Sequence, residues 1–211
     1  MSDGRAAILG RVRRAIAARR SSGSVAVRPG HYIRPQRARG SAADLIDRFR
    51  KMAQFAGASI STVPDEAKIP LEVARYLSDQ EFGESFVLSP SVRIQRLPWK
   101  AGPHLPPFGS DDRVAVTDVV AGVAETGTLL VRSGPESPNG LHLLPEAHIA
   151  IIDGSAIVGS YEEALDMLAQ DGTWPRAATF ITGPSRTADI EKTPQIGVHG
   201  PRQLHIILVH G

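Results

Sequence analysis

Apolar residues recur along the chain in two patterns, one with helical spacing and one of short continuous runs. Near the amino terminus, apolar positions at helical spacing stand among arginines and predict a short amphipathic helix. These positions are Ile8, Val12, Ala15 and Ile16. Residues 21–40 follow with Ser, Gly, Pro and Arg but no periodicity, which indicates an extended linker. We therefore expect a basic helix and linker over residues 1–40 and one α/β domain over residues 41–211.

Helical spacing predicts three further helices. The first begins at Ser41, which with Asp44 resembles a capping box, and Gly57 supplies its stop. The second is centred on residues 71–77, where Leu and Ala repeat at helical intervals. The third begins with the Ser-x-x-Glu capping box of residues 160–163.

Short apolar runs predict the strands. They are residues 58–63, 85–89, 113–117, 128–131, 148–152, 178–182 and 204–209. Runs without polar alternation are typical of strands covered on both faces, and their alternation with helices favours a parallel sheet. The expected fold class is therefore α/β, with a mostly parallel sheet, flanking helices and an N-terminal helical arm.

Composition narrows the chemistry that this sequence can carry. The 211 residues suffice for one sizeable domain, and none of them is cysteine. Disulfides, thiolate nucleophiles and Cys-ligated iron–sulfur or zinc sites are therefore excluded in this sequence, and redox chemistry needs a bound cofactor or a partner subunit. The sequence contains neither eighteen consecutive apolar residues nor a secretory h-region, so we expect a cytoplasmic protein without a membrane span.

The charge is divided between a basic amino-terminal part and an acidic remainder. Residues 1–50 carry a net charge of +9 and the remaining residues −7. Such an arm could bind nucleic acid, an acidic membrane or an acidic partner. It lacks the interleaved aromatic residues that stack on single strands, so nucleic acid is not favoured. Docking on another subunit and a solvated basic face stay open.

Three segments rich in glycine and small polar residues lie at ends of predicted strands, over residues 122–128, 133–148 and 182–202. Glycine lets the backbone approach a ligand, and Ser or Thr supplies neutral hydrogen bonds. Since ligands of open α/β sheets bind at the carboxyl ends of strands, we expect these turns to converge in one pocket. The ligand-binding residues expected there are Thr126, Gly127, Thr128, Gly183, Pro184, Ser185, Thr187, Asp189 and Gly200. The alternative is that they form ordinary loop connections.

Two residues are candidates for catalysis. Glu125 lies in a tight glycine-containing turn, where a carboxylate can act as general base or nucleophile, or can simply accept backbone hydrogen bonds. His199 stands between Gly197 and Gly200, although a histidine beside a strand more often serves packing. The sequence has no H-E-x-x-H or His-x-His pattern, and we expect no metal site. A small carboxylate is the ligand expected.

Four stretches, residues 124–130, 143–149, 182–191 and 197–205, carry a pattern that resembles the LUD-domain family, in particular its C-type lactate-utilisation subunit. The resemblance implies a fold similar to the NagB/RpiA/CoA transferase superfamily. It also implies a role beside iron–sulfur partner subunits that together oxidise L-lactate to pyruvate. The C-type subunit lacks cluster cysteines, which agrees with the sequence. The resemblance names no cofactor and no catalytic residue.

One position departs from the family pattern. His142 stands where related sequences tend to have serine, so a pocket that used the serine would be altered. Two other functions stay open. The chain could be a stand-alone enzyme acting on a small anionic or acyl substrate through Glu125, or a ligand-sensing module that uses residues 183–189.

Overall fold

The computed structural model describes residues 3–21, 35–100, 102–169, 174–188, 194–197 and 199–210. The chain divides into two compact units, residues 1–31 and residues 32–211. The first unit contains helix α1, Asp3–Ser21, which confirms the helix predicted from apolar spacing. Most of the predicted linker lies outside the described residues. The second unit contains every element discussed below.

The described residues of the second unit form five further helices and twelve strands. The helices are α2 (Ala42–Phe55), α3 (Ile69–Asp79), α4 (Val92–Gln95), α5 (Gly140–Leu143) and α6 (Tyr161–Ala169). The strands are β1 (Ser59–Val63), β2 (Phe86–Leu88), β3 (Pro103–His104), β4 (Val114–Asp118), β5 (Ala121–Val123), β6 (Thr128–Arg132), β7 (Ala147–Asp153), β8 (Ile157–Val158), β9 (Ala178–Ile181), β10 (Arg186–Ala188), β11 (Pro194–Ile196) and β12 (Gln203–Val209).

Six strands form a parallel sheet in the order β1-β12-β7-β4-β2-β3. Strand β7 shows why its apolar run is continuous. Ile149 and Ile151 join the core on the side of α3, whereas Ala150 and Ile152 join the core on the side of α2. Both faces are therefore buried, as the sequence predicted. This arrangement confirms the α/β class and the mostly parallel sheet.

A second, smaller sheet has the order β8-β5-β6-β9. Strand β6 pairs antiparallel with both β5 and β9. The expectation that residues 122–128 and 182–202 extend the ends of adjacent parallel strands is therefore wrong for β6 and β9. The turn between β5 and β6 is too short for a parallel crossover, and an apolar run specifies burial without specifying the sheet that a strand joins.

Helix α2 packs between the two sheets. It begins with the predicted capping box, in which the Ser41 backbone N–H donates to the Asp44 carboxylate at 2.9 Å and the Asp44 N–H donates to Ser41 Oγ at 3.2 Å. Phe49 and Ala53 are fully buried, in one cluster with residues of both sheets. The small sheet comes close because Gly122 lacks a side chain where a Cβ would lie 2.9 Å from the Phe49 ring.

We predict that Gly127→Ala destabilises the domain by about 3 kcal/mol. Gly127 has φ of +67°, and a Cβ there would overlap the backbone of Ala53 in α2. Urea unfolding of the variant measures the loss. Gly134→Ala is the matched control, because a Cβ at Gly134 meets no atom within 4 Å. Equal stability of the two variants would contradict the close packing of this turn on α2.

Candidate functional site

The turn between β5 and β6 carries Glu125. The Glu125 backbone N–H donates to the Gly159 carbonyl at 3.2 Å, and the residue is half-buried. Among the described residues, its carboxylate has no hydrogen bond or ion pair. The two threonines that follow belong to a hydroxyl cluster with Tyr161, in which Thr126 Oγ1 lies 2.7 Å from Thr128 Oγ1 and 2.9 Å from the Tyr161 hydroxyl. The hydroxyl groups of these threonines are hydrogen-bonded to each other and to Tyr161, so the polar side chains of the turn already have partners within the protein.

The turn after β9 carries Gly183, Pro184 and Ser185. Gly183 has φ of +71°, and a Cβ there would overlap the Ala56 carbonyl at the end of α2. Thr182 Oγ1 lies 2.6 Å from Thr128 Oγ1, so this turn meets the β5–β6 turn. The two turns do converge, because antiparallel pairing places the carboxyl end of β9 beside the start of β6.

Ser185 connects this turn to the loop that contains His199 and Gly200. The Ser185 N–H donates to the Pro201 carbonyl at 2.8 Å, and the Gly197 N–H donates to the Ser185 carbonyl at 3.1 Å. A Cβ on Gly200 would lie 3.3 Å from Ser185 Cβ. The structure therefore brings Ser185, His199 and Gly200 together. Thr187 lies in β10 opposite Gln195, and Asp189 lies outside the described residues.

A groove opens at the amino-terminal edge of the parallel sheet. Strands β4, β7 and β12 start level with one another, since Ala147 pairs with both Val114 and Gln203. Arg113, Glu146 and Arg202 directly precede these three strands, so they lie side by side. Backbone hydrogen bonds fix this row, from the Glu146 N–H to the Arg113 carbonyl and from the Arg202 N–H to the Glu146 carbonyl, each at 2.8 Å.

We call this feature the amino-edge groove, and its volume is about 660 Å³. Its lining residues are Ser110, Asp112, Arg113, Leu143, Leu144, Pro145, Glu146, Gly197, His199, Gly200 and Arg202. Residues 143–146 and the described residues Gly197, His199, Gly200 and Arg202 all line it, so two stretches of the family pattern contribute to the same groove. Glu125 is not among the lining residues. Its predicted catalytic role stays a prediction, separate from that of His199.

Sequence reasoning missed the arginines of this groove. Arg113 and Arg202 are exposed, and Arg113 Nε donates to the Glu146 carboxylate at 2.9 Å. The signal in the sequence was a charged residue immediately before each of three apolar strands. This signal did not predict the groove, because only the order of strands in the sheet shows that β4, β7 and β12 are neighbours.

The carboxyl edge, where ligands of open α/β sheets usually bind, carries a different cluster. Asp118 accepts a hydrogen bond from Ser91 Oγ at 2.7 Å, and Ser89 Oγ lies 3.4 Å from the other carboxylate oxygen. Behind it, the buried Ser137 hydroxyl lies 2.9 Å from Nε2 of buried His142. A cavity of about 290 Å³ adjoins Asp118 and Ser137. The Asp118 carboxylate makes this edge of the sheet unfavourable for an anion.

His142 is the residue that departs from the family pattern, and it packs edge-on against His148 with ring centroids 5.3 Å apart. His148 Nε2 lies 2.8 Å from Thr117 Oγ1. Burial lowers the pKa of His142 to about 4 and that of His148 to about 3. Both imidazoles are therefore neutral at neutral pH, and they belong to the buried packing of the sheet.

Neither a metal cluster nor a membrane span emerges from the described part of the chain. No group of three or more His, Asp or Glu side chains is placed there to hold a metal ion. None of the helices described has the length and apolarity needed to cross a bilayer.

One solved structure and one family model are similar to this chain. A crystal structure of a DUF162 family protein from Deinococcus radiodurans superposes with a TM-score of 0.61 and 22% identity, covering 81% of this chain and 99% of that chain. At that identity the likeness shows the α/β fold alone. Residues 112–209 match the family model of the LUD domain. This match covers 98 of the 211 residues and confirms the family resemblance that the sequence predicted.

Two curated relatives are similar over part of this chain. An uncharacterised protein of Neisseria meningitidis serogroup B is 40% identical over 90 residues, which is 42% of this chain and 38% of that protein. Lactate utilization protein C of Geobacillus kaustophilus is 36% identical over 100 residues, which is 46% of this chain and 41% of that protein. The matches thus span about two fifths of these relatives' length. The family-model match of residues 112–209 includes Asp112, Arg113, Glu146 and Arg202 of the amino-edge groove.

We predict that acidification from about pH 6.5 to pH 4 destabilises the domain steeply. Unfolded histidines gain protons near pH 6.5, whereas buried His142, His148 and His205 stay neutral until lower pH. Each contributes stability that is complete above pH 6.5 and falls by up to about 1.4 kcal/mol per pH unit below it. Urea unfolding across this range measures the slope.

His142→Ser provides the matched variant, since it replaces one titrating group with the residue of the family pattern. The slope of unfolding free energy against pH should fall by roughly one third, whatever the change in absolute stability. An unchanged slope would mean that His142 does not titrate differently in the folded and unfolded states.

Proposed function

We propose that this chain acts in lactate utilisation as a subunit without an iron–sulfur cluster of its own, and that its LUD domain binds a small carboxylate such as L-lactate in the amino-edge groove. One observation carries the proposal. Two stretches of the family pattern line one groove that also contains Arg113, and this groove holds Arg202 and His199. Relatives named Lactate utilization protein C support the choice of ligand.

The two arginines of the groove are matched by two carboxylates, but the carboxylates are already engaged, which leaves guanidinium nitrogens for an anion. Asp112 is already engaged, because its carboxylate binds His104 Nε2 at 2.7 Å and accepts the Gly109 N–H at 2.6 Å. Glu146 is engaged by Arg113 Nε, which leaves the terminal nitrogens of that guanidinium for a ligand. Among the described residues, the Arg202 side chain forms no ion pair. A guanidinium fork matches the geometry of a carboxylate.

His199 completes the arrangement that a 2-hydroxy acid requires. It is exposed in the same loop as Arg202, so an imidazole nitrogen is available for the hydroxyl of a ligand whose carboxylate lies on the guanidinium. Oxidation of the hydroxyl carbon releases two electrons and two protons. A sequence without cysteine cannot ligate a cluster through thiolates, so an iron–sulfur partner subunit is the proposed acceptor.

The size of the groove also favours assembly. At about 660 Å³ it is far larger than a three-carbon acid needs, and exposed Leu143 and Leu144 stand at its rim. A partner that covered these leucines would exclude water and strengthen every ionic contact inside the groove. About three fifths of each relative's length is not matched by this chain. The proposed role therefore concerns only the part that they share.

We expect Arg202→Gln to weaken L-lactate binding by about 10- to 100-fold, because a hydrogen bond to a charged group contributes about 1.5–3 kcal/mol. Isothermal titration with sodium L-lactate measures the dissociation constant. Arg96→Gln is the control, since it removes the same charge from an exposed position that does not line the groove. Equal affinity of both variants, or no binding by the unaltered chain at millimolar lactate, would rule out this groove as the site.

A stand-alone enzyme that uses Glu125 is the second candidate, favoured by a half-buried carboxylate without a partner among the described residues. Glu125→Gln separates the two functions. We expect unchanged lactate binding in this variant, because Glu125 does not line the amino-edge groove. Loss of binding with an intact circular dichroism spectrum would place Glu125 in the site and favour the second candidate.

A further inference from the structure

His205, a buried histidine near the start of β12, has no part in the proposed function. His205 in β12 is 3% exposed and lies between two serines of the neighbouring strand β1. Its Nδ1 is 2.8 Å from Ser59 Oγ, and its Nε2 is 3.1 Å from Ser61 Oγ. Both ring nitrogens therefore have hydroxyl partners, and the imidazole is held in one orientation.

Helix α3 supplies two further groups to this histidine. Glu72 Oε1 lies 3.7 Å from His205 Nε2, and the Tyr76 ring stacks on the imidazole with centroids 4.2 Å apart. Arg75 binds Glu72 through two nitrogens, at 2.6 and 2.9 Å, and so holds the carboxylate in place. The order of groups is therefore hydroxyl, imidazole and carboxylate.

The Ser59 hydroxyl at one end of this series is accessible to solvent, whereas the imidazole of His205 is buried. Ser59 is exposed and lines a pocket of about 410 Å³. The other lining residues are Gly57, Ile60, Arg75, Tyr76, Asp79, Gln80, Arg202, Gln203, Leu204 and His205. A ligand can thus reach Ser59 Oγ while the base behind it is shielded from water, which is the arrangement of an activated nucleophile.

We propose that Ser59 is a nucleophile for acyl transfer, with His205 as its general base and Glu72 as the carboxylate that stabilises the imidazolium. Ser59 Oγ attacks the carbonyl carbon of an ester or thioester, and His205 Nδ1 takes the hydroxyl proton. The acyl C–O or C–S bond breaks, and His205 returns that proton to the leaving alcohol or thiol. Water then hydrolyses the Ser59 ester by the same route, with no change in oxidation state.

The protonation states fit these roles. Burial lowers the pKa of His205 to about 4, so the imidazole is neutral at neutral pH, and the Glu72 carboxylate opposes this shift by favouring the imidazolium that proton transfer would form. The Arg75 guanidinium holds the pKa of Glu72 below its usual range, so the carboxylate is charged. With Nε2 facing that carboxylate, the proton of the neutral ring belongs on Nε2, and Nδ1 is left to accept from Ser59.

The pocket also indicates the class of substrate. Arg202 lines both this pocket and the amino-edge groove, whereas Arg75 is engaged by Glu72 and Asp79. Among the residues that line this pocket, Arg202 therefore offers a cation to a ligand beside Ser59. A small ester or thioester that carries a carboxylate or phosphate group fits this combination of charge and nucleophile.

Labelling with a fluorophosphonate tests the proposal on the full chain. We expect peptide mass spectrometry to find the adduct on Ser59, and Ser59→Ala to abolish it. Ser137→Ala is the matched control, because Ser137 also lies 2.9 Å from a histidine nitrogen yet is buried. Its labelling rate should equal that of the unaltered chain. An adduct elsewhere, or no adduct on Ser59, would overturn the proposal.

Glu72→Gln removes the carboxylate beside His205 and leaves the buried imidazole in place. It therefore tests the proposal even if His205→Gln fails to fold. We expect the rate of Ser59 labelling to fall at least tenfold while the circular dichroism spectrum is unchanged. A folded variant with an unaltered rate would show that His205 only packs between the serines. L-lactate binding is measured separately, so either proposal can fail while the other stands.

Discussion

Helix α2 is buried between two sheets, and this packing sets the positions of the polar turns around it. Phe49 and Ala53 are fully buried against residues of both sheets. Gly127 and Gly183 let the polar turns approach the helix backbone where any side chain would overlap it. Native packing tolerates few voids, so the helix and the two turns fix one another's positions. The hydroxyl cluster of Thr128 and the loop after Ser185 take their positions from this contact.

The level start of three parallel strands has the larger functional consequence. It places Arg113, Glu146 and Arg202 in a row and gives the amino-edge groove its charge. Arg202 also reaches the pocket of Ser59, so one edge of the sheet carries both proposed sites. The carboxyl edge is the usual ligand-binding edge of such sheets, but Asp118 there opposes an anion. The proposed site therefore rests on the charges at the edge and not on topology alone.

The candidate site was predictable in part. Ser185 lies against Gly200, next to His199 in the chain, and backbone hydrogen bonds join their two glycine-rich loops. The Glu125 turn also meets the Ser185 turn through Thr128 and Thr182, but Glu125 does not line the groove of His199. The arginines were missed because a charged residue before a strand is a common sequence feature. Its meaning depends on which strands are neighbours.

Short segments of the chain were sufficient to predict the α/β class, the capping boxes at Ser41 and Ser160, and the resemblance to the LUD family, since each depends on residues close together along the chain. Long-range pairing was needed to show that β6 and β9 belong to a separate sheet and that the groove lies at the amino edge. An apolar run specifies that a strand is buried, not what it pairs with. The contact of Ser59 with His205 joins residues 146 positions apart, and no local spacing encodes such a distance.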